Sequence, residues 1–161
     1  MKVFEYKIVQ ILIAVLIPLV GAALFNIGAQ RNMFPWYDTL KRPSWTPPNW
    51  LFGPMWTFLY LSMGYASFRV WDKGMRFSGP AKWPLIIYII HLFINWTWSQ
   101  VFFGFHLIGG AAIHIVILLL FVITTAIAFA RVDLIAGILF IPYIIWGSYA
   151  TTVAIGFWVL N

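Results

Sequence analysis

Long uncharged stretches alternate with short polar ones along this chain, and the alternation predicts helices long enough to cross a bilayer. Residues 8–30 carry no charged side chain, and a run of that length spans the hydrocarbon core as a helix. Pro18 inside it predicts a kink, with neighbouring helices re-satisfying the freed carbonyl. Gly21-Ala22-Ala23 also resembles a signal-peptide cleavage site, a competing reading of the same run. A second span is expected from Trp50 to Trp71. The polar segment Asp72–Lys82, with its Gly and Pro breakers, then reads as a linker.

Trp83 to Ala130 contains 48 residues with no Asp, Glu, Lys or Arg. As one helix they would extend about 72 Å, against a hydrocarbon core of about 30 Å. Two helices are therefore expected, joined where glycines cluster between Gly104 and Gly110. Arg131 and Asp133 close the fourth span, and the uncharged residues 134–161 supply a fifth, bent at Pro142. The expectation is a single all-α integral membrane domain over residues 1–161, a five-transmembrane-helix bundle. Its spans fall at about 8–27, 50–71, 84–104, 108–130 and 134–160. No internal repeat is evident, which weakens an inverted-repeat transporter reading.

Composition supports this picture. The chain is 63% hydrophobic and 9% charged, where a soluble domain carries about a quarter charged residues. There is no Cys, hence no disulfide framework or thiolate chemistry. The net charge of +6 does not point to nucleic acid, because the basic residues sit at the ends of apolar runs. Lys2, Lys7, Arg69, Lys73, Arg76, Lys82 and Arg131 share one expected side, against Arg31, Lys41 and Arg42 on the other. The N-terminus is thus expected on the positive side.

Residues 28–49 form the expected first loop. It is long for a connection, and long loops are usually functional or disordered. Trp36, Tyr37 and Trp45, with Pro35, Pro43, Pro47 and Pro48, argue against disorder and for a segment folded onto the bundle. Trp and Tyr are enriched at membrane interfaces, so anchoring alone accounts for many aromatics. The Pro47-Pro48 pair adds backbone stiffness, which an anchor does not need and a pocket lid gains from.

Chemistry-bearing residues are few. Glu5, Asp38, Asp72 and Asp133 all lie in loops or at span ends. Coupled pumps usually keep ionisable groups inside the bundle, so that class is disfavoured, as are a paired-carboxylate hydrolase and most metal sites. No metal is expected: His91, His106 and His114 have no Cys or buried carboxylate to complete a ligand set. In the third span His91, Asn95 and Trp98 share one helical face, followed by Ser99 and Gln100. Asn95 needs a hydrogen-bond partner in hydrocarbon. It reads either as interhelical glue or as a polar group facing a ligand cavity, whereas His91 reads as structural. In the fifth span Trp146, Ala150 and Ala154 line one face near Tyr143, with Gly147 and Thr151 beside them. That row serves either close helix packing or a flat slot beneath a Trp.

The segment Trp36-Tyr37-x-x-Leu40-x-Arg42-Pro43-Ser44-Trp45-x-Pro47-Pro48 resembles the signature of the translocator protein family (TspO, the peripheral-type benzodiazepine receptors). The likeness continues through Gly53-Pro54-x-Trp56-x-x-Leu59-Tyr60-x-x-Met63-Gly64-Tyr65, then Asn95-x-x-Trp98 with Phe102-Phe103-Gly104, then Pro142-Tyr143-x-x-Trp146 with Ala150-Thr151. It covers nearly the whole chain in order. The run from Gly53-Pro54-Met55-Trp56 to Met63-Gly64-Tyr65-Ala66-Ser67 looks closer to animal members than to most bacterial ones.

The resemblance implies a five-helix bundle, commonly a homodimer, with one pocket closed by the first loop. It implies porphyrin, sterol and benzodiazepine-type ligands, and a mitochondrial outer membrane location in animals or a bacterial membrane otherwise. Carried over by position, Tyr37, Trp56, Asn95, Trp98, Trp146 and Ala150 would line the pocket, and Trp45, Pro47 and Pro48 would shape its lid. Two departures stand out: Ala154 where many members have Asn, and Gly109-Gly110 where mammalian members have a Trp. The mammalian C-terminal sterol motif is absent, because no Lys or Arg follows Arg131. Leu61-x-x-x-Tyr65-x-x-x-Arg69 fits the loose sterol pattern, which is weak evidence by itself.

Three functions follow as expectations. The first is a receptor or carrier for flat hydrophobic ligands, protoporphyrin IX among them, with porphyrin as ligand and no resident cofactor. The second is an enzyme in which Trp56 and Trp146 exchange electrons with a photoexcited porphyrin substrate and so degrade it. The third is a membrane scaffold with an incidental cavity.

Overall fold

The computed structural model describes residues 2–161, with side chains from Tyr6 onward. The side chains of Lys2 and Glu5 lie outside the described residues. The elements are α1 (Lys2–Met33), α2 (Trp36–Thr39), α3 (Asn49–Lys73), a 3-10 turn (Arg76–Ser78), α4 (Lys82–Ser99), a π-helical turn (Gln100–Gly104), α5 (Ile108–Ala130), α6 (Leu134–Ile138) and α7 (Ile141–Leu160). No strand occurs among the described residues.

Among the described residues four helical stretches are long and apolar enough to cross a membrane: Tyr6–Met33, Lys82–Gly104, Ile108–Ala130 and Leu134–Leu160. α3 is as long, at 25 residues. Trp50, Trp56, Tyr60, Tyr65 and Trp71, together with Arg69, Asp72 and Lys73, dilute its aliphatic content. Helices of this length and composition make the chain an integral membrane protein.

The long helices run alternately up and down. At one end, Lys7 bonds Asp72 at 2.9 Å and Lys73 bonds Asp133 at 2.9 Å, so α1, α3 and the α5–α6 turn meet there. At the other end, Nδ2 of Asn32 donates to the Gly104 carbonyl at 3.3 Å, and the Lys41 backbone bonds Asn161. Lys7, Arg69, Lys73, Arg76, Lys82 and Arg131 thus cluster at the first end, as their expected common side requires.

Several local outcomes have plain causes. α1 continues to Met33, so the connection to α3 covers residues 34–48 and not 28–49; Ala29, 1% exposed, packs the extra turns onto the bundle. Pro18 leaves α1 unbroken. The carbonyl it deprives of a partner belongs to Ala14, four residues back. Gly64 of α3 presses on that point: a Cβ there would lie 2.7 Å from the Ala14 oxygen and 2.6 Å from the Val15 Cα. Only a glycine allows this approach, the small-residue contact typical of membrane helices. The fourth-to-third helix break falls at the π-turn and residues 105–107, with His106 at φ 57°. Pro142 produces more than a bend. It cannot donate to Ile138, and the fifth run divides into α6 and α7.

The main core gathers Leu59, Met63, Leu92, Val122, Phe129, Phe140 and Tyr143. A second cluster of Tyr37, Phe102, Ala111, Val153 and Phe157 lies toward the loop end.

Candidate functional site

A cavity of about 440 Å³ opens inside the bundle beneath the 34–48 segment. Tyr37, Trp56, Asn95, Trp98, Trp146 and Ala150, expected in the lining, all border it, and so does Pro47, expected in the lid. They converge from α2, the loop, α3, α4 and α7, across more than a hundred positions of sequence. Trp45 and Pro48 do not line it. The Trp45 indole is 51% exposed and rests on Gly156 of α7, where a Cβ would lie 3.2 Å from its ring and 2.5 Å from Pro43. Pro48 occupies the N-cap position of α3 at φ −57° and ψ 140°. Both shape the loop without facing the cavity.

Sequence reading missed Tyr60, Phe102 and Tyr149, which line the cavity as well. A signal was present. Each follows an expected residue by three or four positions (Trp56, Trp98 and Trp146 respectively), the spacing that shares a helical face.

Asn95 is the interhelical tie of the first reading, and it lies in the cavity lining. Its Oδ1 accepts from the Tyr60 hydroxyl at 2.8 Å, and its Nδ2 donates to the Tyr143 hydroxyl at 2.5 Å. One amide therefore ties α3, α4 and α7 together in the cavity wall. A buried network of this kind, with each member bonded to another, fixes geometry. His91, one turn before Asn95 in α4, is fully buried among Tyr88, Phe140 and Tyr143. It does not reach the cavity, and neither ring nitrogen has a partner among the described residues. The other histidines serve the framework: His106 bonds the Asn32 carbonyl at 2.9 Å and His114 the Ile94 carbonyl at 2.8 Å. No group of three metal-ligating side chains occurs among the described residues.

The walls are mainly aromatic. Trp56 stacks on Tyr60 at 5.7 Å and meets Tyr143 edge-on at 5.8 Å. Trp98 stacks on Phe102 at 5.4 Å, and Phe52 stands edge-on to Trp146 at 5.9 Å. No lining residue is charged; Asn26, Gln30, Asn49 and Ser99 add polarity. The indole N–H of Trp146 is buried with no acceptor among the described residues.

The cover is held by neutral bonds. The Tyr149 hydroxyl donates to the Trp45 carbonyl at 2.5 Å. The Asn161 side chain accepts from the Lys41 N–H at 2.9 Å and donates to the Lys41 carbonyl at 3.0 Å. Thr46 closes a turn on the Pro43 carbonyl. Arg42 lies 4.4 Å over the Tyr37 ring and pairs with Asp38 at 2.9 Å. Burial raises the Tyr37 phenol above its ordinary pKa, although Arg42 works in the opposite direction.

An all-helical integral membrane protein with an aromatic cavity under a proline-stiffened loop is the class defined by these features. A model of the TspO/MBR family matches residues 14–159, and the chain belongs to that family. It is 37% identical over 139 residues to protein CrtK of Rhodobacter capsulatus, covering 86% of this chain and 82% of the relative. It is 35% identical over 143 residues to the translocator protein of Sus scrofa, covering 89% and 85%. The tryptophan-rich sensory protein of Cereibacter sphaeroides is 41% identical over 124 residues, covering 77% and 75%. Of the two departures noted in the sequence, Ala154 lines the cavity and Gly109 and Gly110 do not. Gly109 instead faces Trp158 of α7.

Proposed function

We propose that this protein is a membrane receptor or carrier for flat hydrophobic ligands, porphyrins such as protoporphyrin IX first, with sterols and benzodiazepine-type compounds as further candidates. In this reading α3 is the fifth span of a single-domain bundle, and residues 34–48 cover the ligand. The observation that carries it is the uncharged aromatic cavity with one unpaired donor, the Trp146 N–H. Apolar walls with a few placed polar groups are the usual makeup of a small-molecule site. A planar ring system stacks on these indoles, and an acceptor on it relieves the buried donor. The propionates of a porphyrin would face the Asn26, Gln30 and Asn49 portion of the lining.

Titration with protoporphyrin IX tests this through quenching of the intrinsic Trp fluorescence. Saturable quenching is expected, weakened at least tenfold in Trp146→Ala. Quenching that never saturates, or an unchanged affinity in that variant, would sink the proposal.

Light-driven porphyrin degradation is the second reading, favoured by the presence of both Trp56 and Trp146 in the lining. Either indole would donate an electron to the excited ring. Illuminating the complex while following porphyrin absorbance separates the readings: equal loss in the wild type and in a Trp56→Phe/Trp146→Phe variant removes this one.

A further inference from the structure

Outside the bundle a second hollow, a groove of about 650 Å³, runs between α3 and the α6–α7 junction. Phe58, Leu61 and Ser62 form one wall, and Ile138, Leu139, Ile141 and Pro142 the other. Its origin is the helix break at Pro142, which parts α6 from α7 and exposes the flank of α3. The Ser62 hydroxyl donates to the Leu139 carbonyl at 2.8 Å, so the polar groups freed by the break are partly satisfied and the surface offered outward is apolar.

Both walls lead to cations at the same end of the bundle. Along α3 the face continues from Ser62 through Tyr65 to Arg69 and Lys73. Along the other wall the chain leads back from Ile138 to Arg131. Arg69 lies seven residues from Ser62 within α3, about 10 Å at helical rise, and Arg131 lies in the turn that precedes α6. Asp133 accepts from Arg69 at 2.5 Å and from Lys73 at 2.9 Å. Arg131 is exposed and has no ion-pair partner among the described residues. Two cations therefore share one carboxylate while Arg131, two residues from it in sequence, has none, so this end keeps a net positive charge. Leu61, Tyr65 and Arg69, the loose sterol pattern of the sequence, fall on this face, with Arg69 5.9 Å over the Tyr65 ring.

An apolar groove at membrane depth with an uncompensated cationic rim matches one kind of amphiphile. We propose that it is a binding site for an anionic phospholipid. One acyl chain lies along Leu61, Ile138 and Pro142, and the phosphate meets Arg131 and the exposed Lys73 ammonium. Arginine recognises phosphate through paired N–H donors, and basic residues at the bilayer surface favour anionic lipid. A sterol has the apolar body but no anion for the rim, so charge complementarity selects the phospholipid. The site is separate from the aromatic cavity and does not depend on its ligand.

The test is native mass spectrometry of the full chain released from nanodiscs holding equal amounts of phosphatidylglycerol and phosphatidylcholine with identical chains. The wild type is expected to retain phosphatidylglycerol preferentially, and Arg131→Gln to lower that preference roughly fivefold, the weight of one basic residue at an anionic surface. Arg131→Lys should restore most of it. Ile138→Trp, which fills the groove, should reduce retention of both lipids, with Leu61→Trp as the alternative from the opposite wall. Equal retention of the two lipids by the wild type, or an unchanged preference in Arg131→Gln, overturns the proposal. So does a sterol that displaces phosphatidylglycerol from the wild type and not from the groove-filled variants, because the groove would then belong to the sterol.

Discussion

The two ends of this bundle are fastened by different chemistry. At the Asp133 end a carboxylate only 4% exposed holds two cations of α3, and a second ion pair ties α1 to the end of α3. At the opposite end the chain folds over the cavity, and what holds it is neutral. One tyrosine hydroxyl, one asparagine side chain and the fit of Pro43 and Trp45 against Gly156 link it to α7. Its ion pair, Arg42–Asp38, lies four residues apart within the loop and joins nothing distant. Breaking a shielded ion pair strands a charge, whereas neutral hydrogen bonds contribute about 1 kcal/mol each. One end is therefore built to stay shut and the other to yield.

That contrast is open to direct tests. Asp133→Ala should have the largest effect, lowering stability by about 3 kcal/mol because Arg69 loses its partner in a semi-buried place. Thermal unfolding in detergent measures it, and porphyrin affinity below the melting range should be unchanged. The pH dependence has a definite sign. The Arg69 bond, joined by Lys73, holds the Asp133 carboxyl at about 2, below its ordinary 3.8. A depressed carboxylate pKa stabilises the fold above the unfolded value, so this contribution is full above about pH 4 and is lost as pH falls through about 2. The pH dependence in that window should be weaker in Asp133→Ala.

Asn95→Leu comes next. It orphans the Tyr60 and Tyr143 hydroxyls together and should cost about 2 kcal/mol, with a weakened cavity ligand; a silent variant would mean that the network holds nothing. Tyr149→Phe removes one bond from the yielding end. Hydrogen exchange at the lid amides should accelerate about fivefold, the equivalent of about 1 kcal/mol, while the melting temperature hardly moves. A large fall in melting temperature would erase the distinction between the two ends. His91→Phe is the smallest. An aromatic ring replaces one whose nitrogens have no partner, so stability should stay within about 1 kcal/mol of the wild type. A loss of several kcal/mol would show those nitrogens to be engaged.

Sequence alone went furthest where a single physical rule decides the outcome. Uncharged runs mark helices because bilayer crossing forbids charge, and the 48-residue run had to divide because no helix of that length fits. The same logic showed that Asn95 needs partners. It did not show that Tyr60 and Tyr143 are those partners, 35 and 48 residues away, since no local pattern encodes such distances. The end of α1 was misplaced because Arg31 and Asn32 look like loop residues; only packing of Ala29 shows that the helix continues. Pro47 and Trp45 look equivalent in a proline-rich aromatic segment, yet one faces the cavity and the other lies on α7. Loop curvature decides between them, and it depends on contacts such as Tyr149 with Trp45, 104 residues apart.

The bonds from Tyr149 and Asn161 to the cover also bear on speed. If the proposed receptor reading holds, a cover fastened to α7 must be released before a molecule as wide as a porphyrin passes. Association by that route should then saturate with ligand concentration at the rate of cover release. The apparent affinity is the intrinsic one scaled down by the fraction of molecules with the cover released. Loosening the fastening would speed capture and escape alike. Residence time would thus be tuned at Lys41 and Trp45, by groups that need never touch the ligand.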